Sequence, residues 1–222
     1  RGAGEGSTRS LVVAQETFTI TAGAAGLQAL LARAVGIDSG ASVRFRQLDQ
    51  DTVDVFVTTP FDVTVSRRVQ GVVGRDGATV GAQDLLGALT DNRAEIGPAR
   101  DASWPGSLPP AHGFTLVDDI PVTVVRQLAD QGQALARQFS GPLGPPSSLM
   151  DQKVISVEGN GQTAQIPMRT IFTCTSLGLI PGFSAPDHIP RHLRVSVNGR
   201  WTRVDAPFGT VYRSTGLGLS VF

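Results

Sequence analysis

The clearest alternation of apolar and polar positions lies near the end of the chain. Leu193-Arg-Val runs toward Asn198-Gly199, Trp201-Thr-Arg-Val follows, and Ala206-Pro-Phe leads into Gly-Thr-Val-Tyr-Arg213. Period-two patterning bounded by Asn-Gly and Pro signals predicts a hairpin plus a third strand. The order has an earlier echo. Val43-Arg-Phe-Arg46 enters a turn, Val53-Asp-Val-Phe-Val57 follows, and Thr59-Pro-Phe-Asp-Val-Thr-Val-Ser-Arg67 closes the segment. The shared order, strand, turn, strand, Pro-Phe, strand, predicts a duplicated unit. Pro60 and Pro207 are expected at the first residue of a strand, where no ladder donor is lost, with Phe61 and Phe208 buried at equivalent places.

Between these segments the patterning changes period. Glu16 to Thr21 alternates as a strand, and Leu27, Leu30, Leu31, Ala34 and Val35 form the stripe of a helix over Ala24–Val35, stopped at Gly36. Val53, Val55 and Val57 oppose Asp54 and Phe56, which predicts one core face and one wet face. A strand from Phe61 to Val73 and a short helix over Gln83–Leu89 complete the first half. Four prolines and three glycines between Ile96 and Gly113 predict a linker that holds neither helix nor ladder, with Trp104 anchoring it. Asp118-Asp-Ile-Pro121 is expected to open the longest helix, which Gly141 stops; its apolar face, Val122 to Phe139, marks it as the central packing helix. Lys153–Glu158 is a strand, Asn160-Gly161 a turn, and Ile166–Gly178 a second strand-to-helix unit. The expected fold is α+β: two related strand–helix–three-strand halves, mainly antiparallel, with about four helices. The divisions are a flexible tail at 1–9, a first half at 10–95, a Pro/Gly-rich linker at 96–117 and a second half at 118–222.

Composition narrows the function. The chain has 222 residues, 41% of them hydrophobic, enough to bury an ordinary core. Lys+Arg and Asp+Glu are 19 each, so no global field draws it to nucleic acid or an anionic membrane. Lys153 is the one lysine; arginine supplies every other side-chain cation and suits bidentate anion pairing. A single cysteine, Cys174, rules out an intrachain disulfide, and no apolar run reaches the roughly 18 residues of a bilayer span. A reducing cytoplasm is the expected location. The start lacks an initiator Met and an apolar leader, which reads as a processed or truncated terminus.

The motifs of common enzyme classes are missing. Lys153 follows Gln152 and opens a strand, so no P-loop exists, and Gly159-Asn-Gly161 fits a hairpin better than a dinucleotide turn. Gly182-Phe-Ser-Ala-Pro186 fails the nucleophile-elbow pattern at its last position. Cys174 reads as a buried core thiol beside Phe172 and Leu177. Asp49, Asp51 and Asp54 read as turn acids because a calcium loop needs a distal bidentate Glu. Asp187-His188-Ile-Pro-Arg-His192, with His112, has metal-ligand residue types, but Pro190 breaks the helical spacing. No cofactor is called for.

One charge feature remains. Arg191, Arg194, Arg200, Arg203 and Arg213 outnumber Asp187 and Asp205 in the last 36 residues, and they interleave with Trp201 and Tyr212. Arginines and aromatics on a sheet could bind phosphate or stack bases, so Arg191, Arg194, Arg200, Trp201, Arg203 and Arg213 are the candidate site. In the first copy Arg44, Arg46, Arg67 and Arg68 are matched by four aspartates. The leading function is a non-enzymatic binding or structural protein with a protein partner or a second copy of itself; the alternatives are an anion- or nucleic-acid-binding module and an enzyme with a non-standard site.

Ser147-Ser-Leu-Met-Asp-Gln152 and the ending Asn198 to Arg213 resemble an uncharacterised conserved family of actinobacterial proteins, a resemblance that implies no activity. The doubled strand–helix–three-strand order is similar to the topology of DNA sliding-clamp domains. Those lack counterparts of the helices at Gln83–Leu89 and Pro121–Phe139, and shared topology does not transfer function.

Overall fold

The computed structural model describes residues 13–142 and 144–215; the tail expected at 1–9 and the last seven residues of the second half lie outside them. The first half runs β1 (Gln15–Ala22), α1 (Ala24–Ile37), β2 (Ser42–Gln47), β3 (Thr52–Thr58), β4 (Thr64–Val73), β5 (Thr79–Gly81), α2 (Ala82–Thr90) and β6 (Glu95–Pro98). The second runs β7 (Thr115–Pro121), α3 (Val122–Phe139), α4 (Ser147–Met150), β8 (Lys153–Gly159), β9 (Gln162–Pro167), α5 (Met168–Ser176), β10 (His192–Asn198), β11 (Trp201–Ala206) and β12 (Gly209–Ser214). Five helices pack with a mainly antiparallel α+β arrangement in two halves, one helix more than expected because α4 is a single turn that seats Leu149 and Met150.

One ten-stranded sheet joins the halves in the order β5-β2-β3-β4-β12-β11-β10-β7, with β1 added to β4 and β6 to β1. The central junction is β4 against β12, with Val65 opposite Val211. The order reads alike outward from this seam: β4, β3, β2, β5 on one side and β12, β11, β10, β7 on the other. Each end strand, β5 and β7, leads directly into a helix, α2 and α3. Each of those helices leads to a strand, β6 and β8, that pairs with the strand preceding the half's other helix, β1 and β9. The two halves therefore share an order of elements in cyclically permuted form, but not every pairing: β1 joins the main sheet through β4, while its counterpart β9 pairs only with β8 in a separate two-stranded sheet. The echo at residues 43–67 and 192–213 is the shared triple β2-β3-β4 and β10-β11-β12.

The sheet has two faces. Val43, Phe45, Val55, Val65, Val195, Val204 and Val211 point to the inner face and form one core with Leu27, Leu31, Ile171 and Phe172 from the helices. The outer face was expected to be wet, yet Phe56 there is fully buried, packed with Trp104 and Tyr212. The irregular stretch after β6 explains this. It crosses the outer face and is tied there by Arg46 donating to the Pro109 carbonyl (2.5 Å) and Asn198 donating to the His112 carbonyl (2.9 Å). The stretch is shorter than its Pro/Gly content suggests, because Glu95–Pro98 and Thr115–Pro121 are strands. Trp104 is its buried anchor.

Three local readings need correction. Asp118 and Asp119 lie in β7 rather than at a helix start, and the helix begins at Val122. A bulge at Val117 opposite β10 places Val117 and Ile120 on one buried face, and that three-residue spacing imitates a helical stripe. Nor is α3 central: Val122, Val125, Ala129 and Gly132 are buried, but Leu135 and Phe139 are exposed. The central helix is α5, whose residues 170–174 are all buried. Finally, Pro60-Phe61 and Pro207-Phe208 form turns before their strands, and both phenylalanines are only half-buried. Each turn instead reaches across the seam. Arg169 of α5 donates to the Phe61 carbonyl (2.8 Å), and Arg67 of β4 donates to the Phe208 carbonyl (2.5 Å).

Both end strands are covered by their own chain. Thr79 of β5 receives the Asp101 carboxylate on its N–H (3.0 Å) and the Arg100 N–H on its carbonyl (2.7 Å). At β7 the tip of the β8–β9 hairpin closes over the strand: Gly159 packs on the Val117 carbonyl so tightly that no Cβ fits, and Asn160 donates to the Leu116 carbonyl (2.8 Å).

Truncation should rank accordingly. Phe56→Ala is expected to lower unfolding free energy by about 3–5 kcal/mol, the range for a buried Phe, and Phe208→Ala by roughly 1–2 kcal/mol, as a half-buried side chain loses less apolar area. Urea unfolding of the two variants checks the order; equal losses would contradict the burial pattern.

Candidate functional site

The six residues singled out by charge and aromaticity do not form one surface. Pairing of Trp201 with Ser214 and of Arg203 with Tyr212 puts Trp201 and Arg203 on the outer face; pairing of Arg194 with Asp205 puts Arg194 there too. Arg213, opposite Thr202, faces inward. Arg191 lies in the loop before β10, donating to the Gly182 (3.0 Å) and Ala185 (2.8 Å) carbonyls. Arg200 sits in the β10–β11 turn. Asn198 pairs with Trp201, so the two-residue loop is Gly199-Arg200, one residue later than the Asn-Gly reading, with Gly199 at φ 55°.

On the outer face the charges neutralise one another. Arg68 binds Asp54 through two bonds of 2.8 and 3.1 Å, and Arg203 binds Asp205 at 3.0 Å while lying 4.5 Å over the Phe114 ring. Asp54 is a buried mid-strand partner rather than a turn acid; Asp49 is the turn acid, accepting the N–H groups of Asp51 and Thr52, which hold its pKa down. These groups surround a hollow of about 300 Å³ in which two guanidiniums face two carboxylates. Burial, and then the negative charge of Asp54, push the Tyr212 phenol up. Trp201 is half-buried against the Phe56, Trp104 and Tyr212 cluster.

The inner face is different. Between the β8–β9 hairpin and strands β10–β12 lies a hollow of about 210 Å³ lined by Lys153, Arg200 and Arg213 together with Thr163, Gln165 and Thr202, and by no carboxylate. Each cation arrives from a separate element: Lys153 begins β8, Arg213 alternates inward on β12, and Arg200 tips the β10–β11 turn at the rim, its guanidinium 5.9 Å from the ring centre of Trp201 on the outer face. Burial lowers the Lys153 pKa, and the positive charge of Arg213 lowers it further. Arg213 is itself lowered by burial and then by Arg169. The nearby acid, Asp151, lies outside the lining and is bound directly by Arg169, which holds its carboxyl below the usual range; its charge still offsets part of the lowering of Lys153 and Arg213. Two partly buried cations side by side, each losing hydration, are an arrangement that an anion would complete. Two of the six sequence candidates, Arg200 and Arg213, thus converge with a residue the sequence treated only as a strand opener, Lys153. The signal was available as rarity, since this is the chain's one lysine, but its distance of 47 and 60 residues from the arginines hid the convergence.

The other candidate groups lie apart from one another among the described residues. His112, His188 and His192 are exposed, and no three His, Cys, Asp or Glu side chains are grouped to hold a metal. Cys174 is fully buried and its thiol is pushed up to about 12 by desolvation. No helix there is long and apolar enough to cross a membrane.

The fold defines the class: this is a sliding-clamp-like architecture. The beta sliding clamp of Caulobacter crescentus aligns over 92% of this chain and 67% of its own with a TM-score of 0.56 at 9% identity. The DNA polymerase sliding clamp of Pseudomonas aeruginosa aligns over 92% of this chain and 65% of its own, TM-score 0.54 at 12% identity. The DNA polymerase III beta chain of Streptococcus pneumoniae aligns over 92% and 66%, TM-score 0.54 at 7% identity. The chain spans about two thirds of the length of these proteins, and at such identities the likeness is one of fold alone. By family, residues 11–106 match the Domain of unknown function (DUF8010) and residues 109–218 match the Domain of unknown function (DUF8185), so the chain carries two family domains in tandem. No curated protein matches the sequence.

The inner hollow makes a prediction on stability. Arg213→Met keeps the aliphatic stem but removes the charge facing Lys153, so stability in chloride buffer should be unchanged or rise by up to about 1 kcal/mol. The pH dependence has a definite sign. A lysine whose folded pKa lies below its ordinary 10.5 binds fewer protons when folded, so wild-type stability gains from this group as pH rises toward that value. Tyr212, raised, works in the opposite sense. Subtracting the Arg213→Met curve from wild type between about pH 8 and 10.5 isolates the part of the Lys153 contribution that Arg213 causes; the part due to burial should persist in the variant.

Proposed function

We propose that this chain is a non-enzymatic binding protein that uses a clamp-like scaffold to hold an oxyanion, of the phosphate class, against Lys153, Arg200 and Arg213. The observation that carries this is the meeting of Lys153 and Arg213, with Arg200 at the rim, on one polar hollow whose lining contains no carboxylate. Phosphate suits the site because it accepts several hydrogen bonds at once and carries more than one charge, while the threonine and glutamine groups supply neutral donors. The balanced outer face offers no comparable attraction. A nucleic-acid backbone is the extended version of the same ligand, and its binding would fall with salt in proportion to the phosphates contacted.

A second reading, a protein partner or self-association, is favoured by the exposed end of α3, where Leu135 and Phe139 stand 42% and 61% exposed one turn apart. Apolar pairs so placed mark contact surfaces. Sedimentation at rising concentration of wild type against Phe139→Asp tests self-association, and a monomer throughout rejects it.

For the oxyanion, thermal unfolding in phosphate against chloride at equal ionic strength should raise the wild-type midpoint by several degrees, since a ligand at 100 times its Kd adds about 2.7 kcal/mol. Arg213→Met and Lys153→Met should each abolish that difference. A phosphate effect that survives both variants would refute the site.

A further inference from the structure

A second hollow, of about 290 Å³, opens on the inner side of the seam between the halves. One wall is α1, presenting Gly26, Ala29 and Leu30; the other is the loop after α5 with Leu177 and Gly178, closed by the Phe208 turn. Arg33 and Arg67 also line it, and no acid does. Arg67 is half-buried, spends one N–H on the Phe208 carbonyl (2.5 Å), and has no carboxylate within ion-pair distance among the described residues. Its pKa is lowered, with burial the sole cause. Both guanidiniums occupy space that glycines leave open. A Cβ at Gly26 would overlap the Arg67 guanidinium, and a Cβ at Gly178, which sits at φ +66°, would come within 2.7 Å of Arg33 Nε. Seating a guanidinium partly out of water without a counter-charge is unfavourable, and packing alone does not require it.

We propose that this seam cleft binds a small organic monocarboxylate bearing an apolar group, with the carboxylate on Arg67 and Arg33 and the apolar group against Leu30, Leu177 and Phe208. The reading follows from the composition of the walls. Two guanidinium forks match the bidentate geometry of a carboxylate, while three apolar side chains offer nothing to a bare inorganic anion. The volume falls at the lower end of small-molecule sites. Because α1 belongs to the first half and the other wall to the second, an occupant would bridge the seam. The site is separate from the Lys153 hollow and stands whether or not that one binds phosphate.

The test is calorimetric titration of the full chain with 3-phenylpropionate, its neutral amide, and inorganic phosphate. Saturable binding of the acid is expected, with the amide at least about tenfold weaker, the loss for a charge-assisted hydrogen bond. Arg67→Met should weaken the acid by a similar factor. Should that variant fail to fold, Arg33→Gln, at the exposed rim, and Gly26→Ala, which displaces the Arg67 guanidinium, should each weaken it. A tripeptide ending in a free Phe carboxylate, against the same tripeptide amidated, separates the sources: tighter binding than 3-phenylpropionate assigns the site to peptide C-termini, weaker binding to free acids. No saturable binding of the acid, equal binding of its amide, or phosphate displacing it equally well in wild type and Arg67→Met would each overturn the proposal.

Discussion

The structure depends on one strand pairing. β4 is the longest strand, and its length serves two neighbours: its first residues pair with β12 across the seam, and its last four pair with β1. Without the β4–β12 contact the main sheet would be two smaller sheets, each with a long valine-rich edge. Val65 and Val211, opposed at the seam and buried on the inner face, bring the two halves into one core rather than two. One of the two hollows follows from that joining. The seam cleft exists because α1 and the loop after α5 meet there, while the Lys153 hollow belongs to the second half, where Arg213 faces inward because β12 keeps strict alternation from Val211.

The seam is also what the Pro-Phe phrases serve. Each turn precedes the strand that forms the junction, and each offers a backbone carbonyl to an arginine of the opposite half, Phe61 to Arg169 and Phe208 to Arg67. A core role was the natural expectation for a repeated aromatic, but the repeated element is the turn geometry that aims a carbonyl across the junction.

Local patterns were legible where one physical cause dominated. Alternation marked β2, β3 and β10–β12, and the stripe of Leu27, Leu30 and Leu31 marked α1, because each buries one face against one partner. The reading failed where a second cause intervened. The bulge at Val117 turned a strand into an apparent helical stripe, and Phe56 looked like an exposed exception until a segment 50 residues later covered it. The permuted order of the halves was illegible for a similar reason: a linear comparison aligns β2-β3-β4 with β10-β11-β12 but cannot show that β5-α2-β6 matches β7-α3-β8, which lies on the other side of the triple in sequence. The candidate site divided along the same line. Counting arginines located a charge excess, but strand alternation assigned Arg203 and Arg213 to opposite faces, and only one of those faces lacks acids.

The closed ends of the sheet limit how such a protein can recognise anything. An open edge strand invites another strand to pair with it. Here Thr79 in β5 has both backbone groups occupied by its own chain, and β7 is overlain by Gly159 and Asn160. The outer face is strapped by residues 104–114 and balanced in charge. What remains available is the inner side: the helix layer and the two hollows between it, the β8–β9 hairpin and the seam. Recognition there would work through side chains rather than backbone pairing, and the charged side chains that line both hollows are cations. A scaffold that covers β5 and β7 and balances the charges of one face leaves the two proposed anion sites, at Lys153 and Arg213 and at Arg67 and Arg33, on the opposite side, where the hollows have no carboxylate in their lining.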